Sequence, residues 1–112
     1  MKLLTLLALL VAAPVLAHHG WSEYDDSRPL KLEGMIEESG YEHPHGFVRL
    51  KTADKTWSVV LAPPTRMQNR GLPREQLAPG SRAAVYGYPN RNKPEEMRAE
   101  RITIDEKTTE LR

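Results

Sequence analysis

The residues of this chain best suited to chemistry are its four histidines, which fall in two tight pairs, His18-His19 and His43-Pro44-His45. Neutral imidazole is the side chain that metals most often take as a ligand. The chain contains no cysteine, so thiolate ligation and cysteine catalysis are excluded. The serines lack a nucleophile-elbow context, and no glycine-rich phosphate loop is present. In the second pair, residues two apart on an extended segment face the same way, with Cβ atoms roughly 7 Å apart. Pro44 biases His43 toward extended backbone and fixes its own φ, which partly preorganises the pair. If the register of Val48 and Leu50 runs back through Gly46, His43 and His45 share the non-core face with Phe47.

The first pair takes its meaning from what precedes it. Lys2 is followed by an apolar run from Leu3 to Ala13, then by Pro14 and Val15-Leu16-Ala17. Small side chains at Val15 and Ala17 suit a signal peptidase, so residues 1–17 read as a secretory signal cut between Ala17 and His18. The competing reading is an uncleaved anchor, but the run falls short of the roughly 18 residues needed to cross a bilayer. No cysteine follows for lipid attachment. The expected product is a periplasmic protein with no stable membrane span.

Cleavage there frees an α-amine on His18 itself. Its reference pKa lies near 8, so a cation can displace its proton at neutral pH. That amine, the Nδ1 of His18 and one further imidazole make a T-shaped set of three nitrogens, the histidine brace. Such a near-planar nitrogen set favours Cu(II), the divalent ion at the top of the affinity order. The expected ligands are His18 through amine and ring, His45, and either His19 or His43 as a third imidazole. Zinc is the alternative ion, with Glu23, Asp25, Asp26 and Glu42 near enough in sequence to complete a tetrahedron. Met35 can support Cu(I) from the strand beside the arm, whereas Met67 and Met97 read as packing residues.

Of the sixteen Lys and Arg residues only Lys2 lies in the signal, leaving fifteen (16 minus 1) against fifteen carboxylates. A balanced surface argues against nucleic acid and anionic membrane as partners. Tyr86 and Tyr88 have the character of base-stacking residues, but charge balance and export oppose that role.

Positioning the histidines falls to a small all-β domain. Residues 18–29 read as an extended arm with Trp21 and Tyr24 as anchors. Leu30 to Ile36 alternates apolar and charged residues, the period of a half-buried strand, and Gly34 on its inward row suits a bulge or a tight bend. A turn at Ser39-Gly40 leads through the HPH segment to a strand over Phe47–Thr52. A hairpin loop at Ala53-Asp54-Lys55 follows, then a strand over Thr56–Leu61. Pro63-Pro64 ends it and opens a short helix over Thr65–Arg70, with Gly71 just past its end. Leu72 and Leu77 tuck a second brief turn against the core. Strands over Ser81–Tyr88 and Met97–Ile104 flank a polar loop, and the broken alternation of the latter predicts a bulge near Glu100. Three strands, a helix and two strands is the order of a five-stranded OB-like Greek-key barrel over residues 30–112. An open sandwich of similar strand count is the rival architecture.

The segments HHGWSEYD, PLKLEGMIEES, EHPHGFVRL, WSVVLAPPTRMQNRGLPREQLAPG and VYGYP together resemble a group of short bacterial exported proteins, the domain-of-unknown-function family 6152. That resemblance covers nearly all of the mature chain. It implies export, a small β-barrel, a His-His pair after the signal and an Asn-Pro-His motif before the second main strand. His18, His19 and His45 match this pattern. His43 replaces the usual Asn, and Gly71-Leu72-Pro73 replaces the family's Gly-Trp-Thr, so His45 is the ligand the resemblance favours and His43 an auxiliary one. The family supplies no established activity. The function expected is copper binding, delivery or sequestration without catalysis. The alternative is a periplasmic protein-interaction module whose histidines are incidental, and a copper oxidase or oxygenase is the lesser third, because nothing signals a shaped substrate surface.

Overall fold

The computed structural model describes residues 20–112. The signal peptide, its cleavage site, His18 and His19 lie outside the described residues. Within them, six strands form one sheet in the order β3-β2-β1-β4-β5-β6: β1 Leu30–Gly40, β2 Phe47–Lys51, β3 Thr56–Val60, β4 Arg82–Pro89, β5 Glu96–Ile104 and β6 Lys107–Glu110. A parallel pairing of Ser58–Val60 on β3 with Glu96–Arg98 on β5 closes the first five strands into a barrel. That closure excludes the open sandwich. The helix α1, Pro64–Asn69, stands between β3 and β4 as expected, followed by a 3-10 turn over Arg74–Leu77.

Closure depends on β1 serving two neighbours. Leu30 to Met35 pair with β4, and Met35 to Gly40 pair with β2. Gly34 sits at the change-over, where a Cβ would run into the carbonyl of Lys51. The close approach leaves no room for a side chain there, and the bulge falls later, between Ile36 and Glu38. The bulge absorbs the break in alternation at Glu37-Glu38, so the strand continues through Ser39-Gly40, where the sequence suggested a turn. In β5 the bulge falls on Glu100, as expected: Tyr86 pairs with Arg101 and Gly87 with Ala99.

Ile36, Val48, Leu50, Val59, Val85, Met97 and Ile102 fill the interior, each no more than 3 % exposed. From below, α1 adds Met67 and the following turn adds Leu77, while Leu72 and Trp57 complete the same cluster. The helix starts on Pro64 and stops at Gly71, whose φ of +83° is open to glycine at little cost. The N–H of Leu72 then reaches back to the Met67 carbonyl at 2.8 Å, which seats Leu72 in the core.

The strand β6 has no counterpart in the sequence reading. It folds back on β5 through Asp105 and Glu106, both at positive φ. Its side away from β5 faces α1: Arg70 donates to the carbonyls of Glu110 and Arg112, Arg66 to that of Leu111, and Lys107 to that of Gly71.

Candidate metal-binding face

The HPH segment lies between β1 and β2 as a bend rather than an extended run, and its His43–Pro44 bond is cis. The register of β2 does run back through Gly46, which exchanges hydrogen bonds with Leu61 and Ala62 at 2.9 Å each. Gly46, Val48 and Leu50 therefore face inward, and His45 and Phe47 outward. Gly46 has little room for a side chain, because a Cβ would press on the Met67 methyl and the Gly40 carbonyl. His43 is exposed and His45 half-buried. Both line one depression of about 370 Å³ with Ser39, Gly40, Glu42 and Phe47. The expected shared outer face holds, although its backbone is turned. Among the described residues no group of three or more His, Asp or Glu is placed to hold a metal.

Met35 does not belong to this face. It pairs with Lys51, at the far end of β2 from Phe47, and is 44 % exposed there.

The arm is fastened at two points, and it is not extended throughout: Trp21–Glu23 form a 3-10 turn. Tyr24, only 1 % exposed, makes an isolated bridge with Asn90. Its hydroxyl donates to Glu96 Oε2 at 2.8 Å, and the Asn90 side chain donates to the same oxygen at 2.9 Å. Burial first, then the Glu96 carboxylate, raises the Tyr24 phenol well above its ordinary range. On either side, the Asp25 N–H reaches the Pro89 carbonyl and the Arg91 N–H the Glu23 carbonyl, both at 2.9 Å.

Trp21 docks differently, on the outside of the barrel. Its ring packs edge-on to Tyr88 with centroids 6.2 Å apart, and the guanidinium of Arg98 stands 4.3 Å over its centroid. Tyr88 and Arg98 are cross-strand partners that both point outward. Arg112 stands over the same ring at 4.4 Å and is itself held by Glu100 Oε1 at 2.9 Å. That Glu100 oxygen also accepts the Tyr88 hydroxyl at 3.3 Å. Burial lowers the Arg98 pKa somewhat, yet a guanidinium stays charged at any physiological pH.

The pairing registers place this docking point relative to His45. Tyr88 pairs with Arg98, Arg98 with Val60, and Val60 with Phe47. These four residues form one row across β4, β5, β3 and β2. Val60 is only 6 % exposed although it stands outside the core cluster, so this stretch of the outer face is covered. Strands lie about 4.8 Å apart, which puts the Arg98 and Phe47 backbones about 10 Å apart across the face. His45 is two residues from Phe47. Sequence reasoning found both anchors of the arm but none of Arg98, Arg112 or Glu100 as their partners. Only the bulge at Glu100 left a trace in the alternation.

A model of a family of unknown function (DUF6152) matches residues 6–97, a span that contains all four histidines, and the chain belongs to that family. No curated protein matches the chain. Among solved structures, a complex of TiaS with tRNA and ATP matches at 23 % identity and a TM-score of 0.53, over 80 % of this chain and 20 % of that one. A TiaS mutant lacking its ZRD, in complex with agmatine, matches at the same identity and TM-score, over 79 % of this chain and 25 % of that one. The likeness is to a fraction of those proteins and is one of fold. Among the described residues no helix is long and apolar enough to cross a membrane.

Proposed function

We propose that this member of family 6152 is an exported copper-binding protein, cleaved after Ala17, that carries or sequesters Cu(II) without turning over a substrate. The observation that supports this reading is the docking of the arm on the outer face that also carries His45. From Trp21 to His18 there are three peptide units, a reach of at most about 11 Å. From the Arg98 backbone under Trp21 to Phe47 the distance across the face is about the same. The span from Trp21 to His18 is thus comparable with the distance from Arg98 to Phe47, which supports a site shared between the arm and the HPH depression.

In this arrangement His18 supplies its amine and ring, His45 a second ring from two residues ahead of β2, and His19 or the exposed His43 a third. Nitrogen donors of this kind favour Cu(II) over other divalent ions, with zinc the ion to test against it. Met67 and Met97 are fully buried and Met35 is remote, so no described thioether is available to favour Cu(I).

The test is a Cu(II) titration of exported protein whose N-terminus at His18 has been verified by mass, beside a form with one added N-terminal residue. The added residue converts the His18 amine to an amide, and the affinity should drop at least about tenfold, or ~1.4 kcal/mol. Equal and weak binding by both forms would sink the N-terminal site and leave an interaction module with incidental histidines. His45→Ala should weaken binding as well, and tight binding by that variant would remove the barrel from the site.

A further inference from the structure

The two ends of the barrel are finished differently. Where β1 stops and β2 starts, α1 and the turn after it close the interior with Met67 and Leu77. At the opposite end β1, β3 and β5 begin and β4 stops. Loops meet there instead of a helix: the arm, the β2–β3 hairpin and the β4–β5 loop. They surround a depression of about 470 Å³ with Leu30 and the 9 % exposed Trp57 among its apolar lining. Small-molecule sites are commonly of roughly this size, and barrel mouths are among their usual places.

The charge of this mouth is one-sided. Each of the three segments contributes a cation to the lining: Arg28 from the arm, Lys55 from the hairpin and Arg91 from the β4–β5 loop. No carboxylate shares that lining, although the whole chain carries fifteen against sixteen Lys and Arg. Asp25 tempers Arg91 from 3.9 Å, and the Ser27 N–H and hydroxyl both donate to the same Asp25 oxygen. Lys55 lies across the Trp57 ring, 4.3 Å from its centroid, and donates to the Pro94 carbonyl at 2.9 Å. An ammonium has two further N–H groups to give. Arg91 spends its Nε on the Ser22 carbonyl. Arg28 is exposed, and its side chain makes no hydrogen bond or ion pair among the described residues.

We propose that this mouth binds a small organic carboxylate, its anionic group held by Arg28, Lys55 and Arg91 and its hydrocarbon part set against Leu30 and Trp57. Guanidinium and ammonium donors make charge-assisted hydrogen bonds to carboxylate oxygens, and the apolar lining gives the rest of the ligand a place out of water. Tyr24, buried and tied to Glu96 and Asn90, is the hinge on which the arm turns past the rim. A turn closed by the Arg28 N–H on the Asp25 carbonyl at 3.2 Å then sets Arg28 beside the start of β1. The site shares no residue with the HPH depression, and it does not rest on the copper reading.

The experiment follows amide and indole NMR signals of metal-free exported protein while benzoate, benzylamine or inorganic phosphate is added at constant ionic strength. Benzoate should bind saturably, shifting the amides of Leu30, Lys55 and Asn92 and the Trp57 indole. Phosphate, which has no apolar body, should bind at least about tenfold more weakly, and benzylamine should not bind. Arg28→Gln and Lys55→Gln should each weaken benzoate binding about two- to fivefold, the effect of one exposed ion pair. The double variant should lose more than either, with signals away from the mouth unchanged. Arg74→Gln, on a different depression, should bind benzoate like the wild type. Equal affinity for benzoate and benzylamine would show that charge is not read, and equal affinity for benzoate and phosphate that the apolar lining is not used. Either result overturns the assignment. So would wild-type affinity in the double variant, or shifts that spread over the surface without saturating.

Discussion

The inner and outer faces of β4 and β5 are both packed, and they differ in what they pack against. Inside, Val85, Met97, Ala99 and Ile102 meet other apolar side chains and water is excluded. Outside, Tyr88 and Arg98 meet a tryptophan from another part of the chain, through a ring edge and a charged plane, and Glu100 holds the Arg112 that stands over the same ring. The inner face gains stability in proportion to the apolar area it removes from water. The outer face gains little per contact, since a cation over an exposed ring contributes about 0.5–1 kcal/mol, but it fixes where one short segment lies. Stability and placement are thus divided between the two sides of the same strands.

The sharpest way to break this division is from the inside. Leu50→Ala removes a fully buried side chain next to Ile36 and Trp57 in the pairing ladder. It should cost about 2–5 kcal/mol, read as a fall in the denaturant midpoint, and should loosen barrel and arm together. Gly87→Ala tests the seam between the faces. A Cβ there would run into the backbone of Arg98 and Ala99 opposite the Glu100 bulge. The expected loss is about 1–3 kcal/mol from forced displacement, and the mobility of Trp21 should rise in the same variant because its platform has shifted.

Tyr24→Phe acts on the arm alone and has the smallest effect near neutrality, about 1 kcal/mol for one hydrogen bond to a carboxylate that keeps Asn90. Its signature is the pH profile. The folded-state pKa of Tyr24 is raised, so between the ordinary value near 10 and the folded value the native state holds a proton that the unfolded chain has lost. The contribution is fully present below about pH 10 and declines as pH rises past it. Tyr24→Phe should flatten that decline in a denaturation series, leaving the smaller slope due to Tyr41 and Tyr88, whose phenols are also raised by burial. An unchanged slope would mean that Tyr24 is not the buried hinge described here.

Most of the barrel was legible in the sequence because its signals are local. The alternation in β1, β2 and β3, the prolines before α1, Gly71 after it and the broken phase at Glu100 each report on a few neighbouring residues. β6 escaped notice because it buries a single residue, Thr109, and its turn uses Asp105-Glu106 rather than a glycine-containing pair. Gly34 was legible as the place for a bulge or a tight bend, but the close approach that excludes a side chain there comes from Lys51, far along the chain on β2, and the bulge falls after Ile36. The histidine face was half legible. Parity put His45 outside, and the fold agrees, whereas the meeting of Trp21 with Arg98 and Arg112 joins three distant positions and leaves no periodic mark.

One consequence of β6 reaches beyond this face. An outermost strand with idle carbonyls is a template on which another chain can add its own strand, the first step toward ordered aggregates. Here that border is brief, and Arg66 and Arg70 already occupy the carbonyls of Glu110, Leu111 and Arg112. The same helix that seals the bottom of the barrel occupies the last carbonyl of β6 and those of the two residues after it, which shortens the border left open to a further strand.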